Sequence, residues 1–261
     1  MTKLIINADD FGYSKAINYG IIETHQEGVL SSTTMMANMP GLAHAATLAK
    51  EHPNLGIGAH LVLTSGQPML NYSHLTQSNG DFITRKQLNK QLDSLDLELV
   101  YEEWEAQIQQ LQRVGIRLTH LDTHHYVHGL GELWQPMEQL AKKYQLPIRN
   151  CLNVKEHLTD TKIAPAEELW LMFIHEKMKQ MTQPYSVVRD ELLSIIDEEA
   201  KHYATCSVVE ANCHPGFLDE TIMFGSSFTH ARMREVELLC DPLLKTILEN
   251  HGYELVTYKD I

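Results

Sequence analysis

Two aspartates stand side by side at the end of the first apolar run, in Leu4-Ile5-Ile6-Asn7-Ala8-Asp9-Asp10-Phe11-Gly12. Adjacent carboxylates repel, and a metal ion that binds one and leaves the other as a base turns that repulsion into hydrolytic chemistry. Three further segments carry matching residues. Gly58-Ala59-His60-Leu61-Val62-Leu63-Thr64 sets a histidine in an apolar run, His120-Leu121-Asp122-Thr123-His124-His125-Tyr126-Val127-His128 is a dense histidine cluster, and Asn212-Cys213-His214-Pro215-Gly216 closes another run. In an extended chain His120, Asp122 and His124 share one face, with His125 and His128 in the turn beyond. Asp10, His60 and His124 form a one-oxygen, two-nitrogen set that leaves coordination positions open, as catalytic sites do. The set suits zinc and accommodates magnesium, manganese or cobalt. A histidine fixed before a Pro-Gly turn, as His214 is, suits a general acid because imidazole titrates near neutrality. His120 and His125 are expected only to hydrogen-bond the backbone, and Met35, Met36 and Met39 to fill the core.

Such residues work only if strand ends converge. Strand-like runs fall at Leu4–Ala8, Thr33–Ala37, Gly56–Leu63, Arg117–His124, Pro147–Asn150, Ser207–Asn212 and Tyr253–Tyr258. Helix-period segments alternate with them at Ser14–Glu27, Gly41–Lys50, Glu98–Val114, Glu132–Tyr144, Val187–His202 and Arg232–Asn250. Alternation implies parallel pairing with right-handed crossovers. The expected architecture is α/β, a distorted (β/α) barrel of about seven parallel strands in a single domain over residues 1–261, with an open doubly wound sheet as the competing topology. In either, the C-terminal ends of the strands carry the site, and the polar residues above fall there. Residues 65–96 and 151–185 are too long for plain connections and are expected as insertions over the active face. Ala164–Met181 reads as an inserted helix.

The 261 residues include 21 Lys plus Arg against 34 Asp plus Glu, a formal charge of −13. That field repels a phosphate backbone and argues against nucleic acid as a partner. No run reaches the ~18 apolar residues of a membrane helix, and no signal peptide is visible, so a cytoplasmic location is expected. Cys151, Cys206, Cys213 and Cys240 show no paired spacing and are expected as free thiols.

Taken together and in order, the segments around Asp9-Asp10, Ser32-Thr33-Thr34, His60, His120–His128 and Cys213-His214-Pro215, with the closing Gly252-Tyr253-Glu254-Leu255, resemble the YdjC-like carbohydrate deacetylases, and among them the chitooligosaccharide (diacetylchitobiose) deacetylase type. The resemblance implies a distorted barrel, often a homodimer, with one divalent metal (Mg2+ or Zn2+) on Asp10, His60 and His124. It implies Asp9 as catalytic base, His214 as the residue assisting the leaving group, and an N-acetylglucosamine oligomer, with or without a phosphate, as substrate in chitin breakdown. Tyr126 departs from the family pattern, in which a third consecutive histidine is common. Arg149, Thr64 and His128 are the expected substrate contacts. Arg149 is placed to grip a phosphate, with Arg85 and Lys86 behind it. A metal-dependent phosphoesterase on a similar barrel and a non-enzymatic sugar-binding protein are the alternatives.

Overall fold

The apolar run that carries the two aspartates forms β1 (Thr2–Phe11), buried along almost its whole length. The computed structural model describes residues 1–70, 72–152, 154–171 and 183–261. β2 (Ser32–Met35), β3 (Gly56–Leu61) and β4 (Leu121–Thr123) follow on one side of β1. On the other side lie β6 (Val208–Cys213) and then β5 (Glu168–Trp170), and β7 (Tyr253–Leu255) pairs with the first residues of β1. Every pairing is parallel. The sheet curls into a half-barrel, as the alternating pattern leads one to expect. No helix among the described residues is long and apolar enough to cross a membrane.

The fifth strand is not where the sequence places it. Pro147–Asn150 forms only one bridge, Ile148 to Leu121. Around that bridge Leu121 N donates to Pro147 O (2.8 Å) and Arg149 N to Leu121 O (3.0 Å). Asn150 Nδ2 then reaches Glu167 O at 3.0 Å, so this irregular segment spans the gap between β4 and β5. The inserted helix expected at Ala164–Met181 begins instead as β5 on the edge of β6, and its remainder lies outside the described residues apart from Leu171. The described residues of 65–96 carry short turns and the small helix α3 (Arg85–Leu88), which Thr84 caps.

Helix starts obey local chemistry. α1 (Lys15–Gln26) begins at Ser14, whose hydroxyl accepts from Ile17 N, and it buries Ile17, Ile21 and Ile22. α2 (Leu42–Glu51) follows β2. α4 (Leu97–Arg113) begins at Asp96 and buries Val100, Trp104, Ile108 and Leu111, the spacing of one helical face. α5 (Trp134–Tyr144) packs against α4, and α6 (Tyr185–Tyr203) follows β5. The single helix expected at Arg232–Asn250 is broken: α7 (Glu220–Gly225) and α8 (His230–Leu239) are followed by a separate α9 (Pro242–Asn250). Asp241 caps α9 and Pro242 opens it, because a proline suits the first turn of a helix and not its interior.

α1 packs on the segment that follows β6. Phe217 N donates to Ala16 O (3.2 Å), and a Cβ on Gly20 would lie 2.5 Å from Gly216 Cα. Both collision partners are main chain, so neither side can yield by a rotamer change. Gly20→Ala is therefore expected to destabilise the protein by about 1–3 kcal/mol, read as a lower midpoint in urea denaturation.

Candidate active site

Alternation along a strand sends adjacent side chains to opposite faces, so Asp9 and Asp10 should not reach one site. A bulge changes this. Ala8 pairs with Thr33 and Phe11 with Met35, leaving two residues of β1 opposite the single Thr34. Asp10 takes a left-handed φ of 72° there, a conformation that costs a non-glycine residue of order 1 kcal/mol. Both carboxylates consequently line one cavity of about 450 Å3.

Strand register supplies the rest of the donor set. His60 on β3 pairs directly with Asp122 on β4, and His60 Nδ1 lies 2.7 Å from Asp122 Oδ1. A carboxylate only accepts, so Nδ1 carries the hydrogen and Nε2 faces the centre. There Asp10 Oδ1 lies 3.5 Å from His60 Nε2 and 3.2 Å from His124 Nδ1. The three ligand atoms all fall within 4.8 Å of one another. Burial opposes charge on His60, but Asp122, Asp9 and Asp10 raise its pKa to about 10. His60 Nε2 could therefore hold a metal ion in place of a proton. Among the described residues Asp10 Oδ1 is buried with no hydrogen-bond partner, which suits an oxygen that would hold a cation. Around the centre, Asp9, Asp10, Asp122 and Glu210 face Arg149 and Arg232, a formal excess of two negative charges that one divalent ion matches. The residues present fit such an ion. The same atoms admit a second grouping, Asp9, His60 and Asp122, but Arg149 already occupies Asp9 and Asp122.

Asp9 is held otherwise. Arg149 Nη2 donates to its Oδ1 (2.7 Å) and Nη1 to its Oδ2 (2.8 Å). Burial would raise the Asp9 carboxyl, but Arg149 outweighs it, with help from His60 and His214, and keeps it well below the usual carboxylate range. Burial likewise pushes against Arg232, His124 and His60 at Asp10, and loses. His214 Nε2 stands 3.7 Å from Asp9 Oδ2, and its ring meets Phe228 edge-on at 5.7 Å. Its backbone N–H donates to Glu235 Oε2, and burial pushes the Glu235 carboxyl up to about 8.

Asp9, Asp10, His60, His124 and His214 thus come together. Thr64 also lines the cavity, 2.9 Å from His125 Nδ1. Arg149 and His128 do not reach it. Arg149 is wholly buried and its guanidinium is taken up by Asp9, Asp122 and Glu210, so it supports the site instead of gripping a phosphate. His128 is buried between Thr123 Oγ1 (2.6 Å) and Arg149 O (3.1 Å). His120 lies outside the cavity lining, but its ring partner is the Thr119 hydroxyl and not the backbone contact expected, and it stacks on Tyr258. His125 and Tyr126 are consecutive left-handed residues, with φ of 62° and 54°. Arg85 Nη1 secures the first through its carbonyl (2.6 Å), and Tyr126 OH donates to Asn212 Oδ1 (2.7 Å). Asp122, Glu210, Arg232 and Glu235 were not assigned from sequence. Only Asp122 had a signal there, its alternation with His120 and His124.

The profile of the family described as YdjC-like protein matches residues 3–250. A carbohydrate deacetylase of Geobacillus stearothermophilus is 37% identical over 256 residues, 98% of this chain and 96% of its own. One from Clostridium beijerinckii is 35% identical over 260 residues, covering 99% and 100% of the two chains. Among solved structures, an Enterococcus faecalis protein described provisionally as a cellobiose-phosphate cleavage protein superposes with a TM-score of 0.81 at 33% identity, covering 99% of this chain and 98% of that one.

Two substitutions test these electrostatics. Arg149→Met leaves three buried carboxylates without their cation and should cost about 3–5 kcal/mol in urea denaturation at neutral pH. Glu235 binds its proton more tightly folded (about 8) than at the ordinary value of 4.5, so its stabilisation is complete below pH 4.5 and is lost as pH rises to about 8. Melting temperatures from pH 4 to 9 should therefore show Glu235→Gln gaining on the wild type only across that window.

Proposed function

Because the chain belongs to the YdjC-like family, we propose that it is a metal-dependent carbohydrate deacetylase that removes N-acetyl groups from chitooligosaccharides such as diacetylchitobiose, with or without a 6-phosphate. The observation that carries this reading is the convergence of Asp10, His60 and His124 on a cavity that Asp9 and His214 also line or border. The relatives named carbohydrate deacetylase support the substrate class.

Amide hydrolysis requires an activated water, a stabilised oxyanion and a protonated amine leaving group. A bound Mg2+ or Zn2+ supplies Lewis-acid polarisation and a lowered water pKa. Asp9 takes the proton of the attacking water, and its low pKa keeps it ionised in the ground state. Arg149 fixes the orientation of Asp9 by its two-point grip. Asp122 fixes the His60 ring, which would leave Nε2 to hold the ion. His214, which borders the cavity beside Asp9, gives a proton to the departing sugar nitrogen. Thr64 contacts a sugar hydroxyl. For a phosphorylated substrate Arg85 is the available cation: it lines the cavity, and no carboxylate among the described residues lies within ion-pair distance of it.

The test is acetate release from diacetylchitobiose and its 6-phosphate by metal-stripped and reconstituted protein. Acetate should appear only after Mg2+ or Zn2+ is restored. Asp9→Asn should keep the metal and lose roughly 10²–10⁴-fold in turnover, whereas His60→Ala and His124→Ala should lose the metal in equilibrium dialysis. Phosphate release from a generic ester, with no acetate from any N-acetylated sugar, would replace this reading with the phosphoesterase alternative.

A further inference from the structure

Arg232 is a cavity-wall cation for which the chemistry above has no task beyond its contact with Asp10. It stands in the first turn of α8 and is 2% exposed. Nε donates to Phe228 O (2.8 Å), and Nη2 donates to Asp10 Oδ2 (2.6 Å). The guanidinium carbon lies 5.4 Å from the centre of the Phe228 ring. Nη1 is buried, and among the described residues it has no hydrogen-bond partner. A buried donor left unsatisfied costs about 1–3 kcal/mol, more when it is charged. In a native fold such a group is completed by a ligand, an ion or an ordered water, or it serves catalysis.

The geometry of this orphan is fixed from two sides. Asp10 presents Oδ1 to His60 and His124 and Oδ2 to Arg232 Nη2. A guanidinium is planar and rigid, so fixing Nε and Nη2 also fixes Nη1. Nη1 is therefore held one guanidinium width from the Asp10 carboxylate, on a residue that lines the cavity. The charge of Arg232 is already matched by Asp10, so the remaining N–H groups suit a neutral acceptor better than a second anion.

We propose that Arg232 is a substrate-binding residue, with Nη1 donating to a neutral oxygen of the N-acetylated sugar, a hydroxyl or the acetyl carbonyl, while Nη2 holds Asp10 for the metal. This rests on the deacetylase reading above. One side chain then orients both the metal ligand and the sugar, and the bound sugar relieves the unsatisfied donor.

Arg232→Lys separates the two tasks, because a lysine keeps a cation beside Asp10 but lacks the planar two-nitrogen fork. The wild type is assayed first for acetate release from diacetylchitobiose. Failure there overturns the deacetylase reading, and the inference about Arg232 falls with it. Given an active wild type, the variant should bind Zn2+ within about threefold of wild type by calorimetry, and its KM should rise about tenfold or more, a loss near 1.4 kcal/mol. The fall in kcat should be smaller. A wild-type KM in a folded variant overturns the proposal, whatever its metal affinity. A second measurement covers a variant that does not fold: the crystal structure of Asp9→Asn protein with diacetylchitobiose. It should place a sugar oxygen within about 3.2 Å of Nη1, and water alone at that position overturns the proposal.

Discussion

Arg149 is wholly buried, and Asp9, Asp122 and Glu210 all lie within 2.8 Å of its guanidinium nitrogens. A barrel centre crowded with carboxylates would not hold together unless a cation offset their mutual repulsion and their loss of water. The consequences spread outward. Asp9 stays ionised although burial alone would raise its pKa. Asp122 is free to use its other oxygen on His60 Nδ1, which turns Nε2 toward Asp10. The proposed base and the candidate ligand set are therefore parts of one charge network, and a change at Arg149 reaches both.

Two local distortions complete that network. The bulge at Asp9-Asp10 brings neighbouring carboxylates to one cavity, and the left-handed pair His125-Tyr126 follows directly on His124. Strain of this kind persists where surroundings hold it. Thr34 sits opposite the first distortion and donates to Asp122 Oδ2 at 3.0 Å. Arg85 and Asn212 hold the second. Both lie at the ends of strands where regular pairing stops, so the strain is confined to the site while the core strands remain regular.

Much of the site was legible because its chemistry is written in rare residue types at strand ends. Asp10, His60 and His124 came from that pattern and lie together, with Asp9 and His214 beside them. Arg149 was legible as a strand-end arginine, but not as a buried one, since nothing local in Pro147–Asn150 tells which carboxylates surround it. Arg232 and Glu235 were invisible, because they sit on an ordinary helix, α8, whose turn happens to face Asp10 and the segment after β6. The break before α9 is marked by Asp241-Pro242, although the apolar period runs on through it.

The order of strands and helices, the core methionines and the identity of the metal-ligand candidates follow from sequence by itself, since periodicity, capping and donor chemistry are local properties. Tertiary structure alone decided that β5 is Glu168–Trp170, that Arg149 points inward to three acids, and that Arg232, a residue of the cavity lining, donates to Asp10. Each of these depends on which distant segment lies alongside, and long-range electrostatics and edge pairing leave no trace in the neighbouring residues.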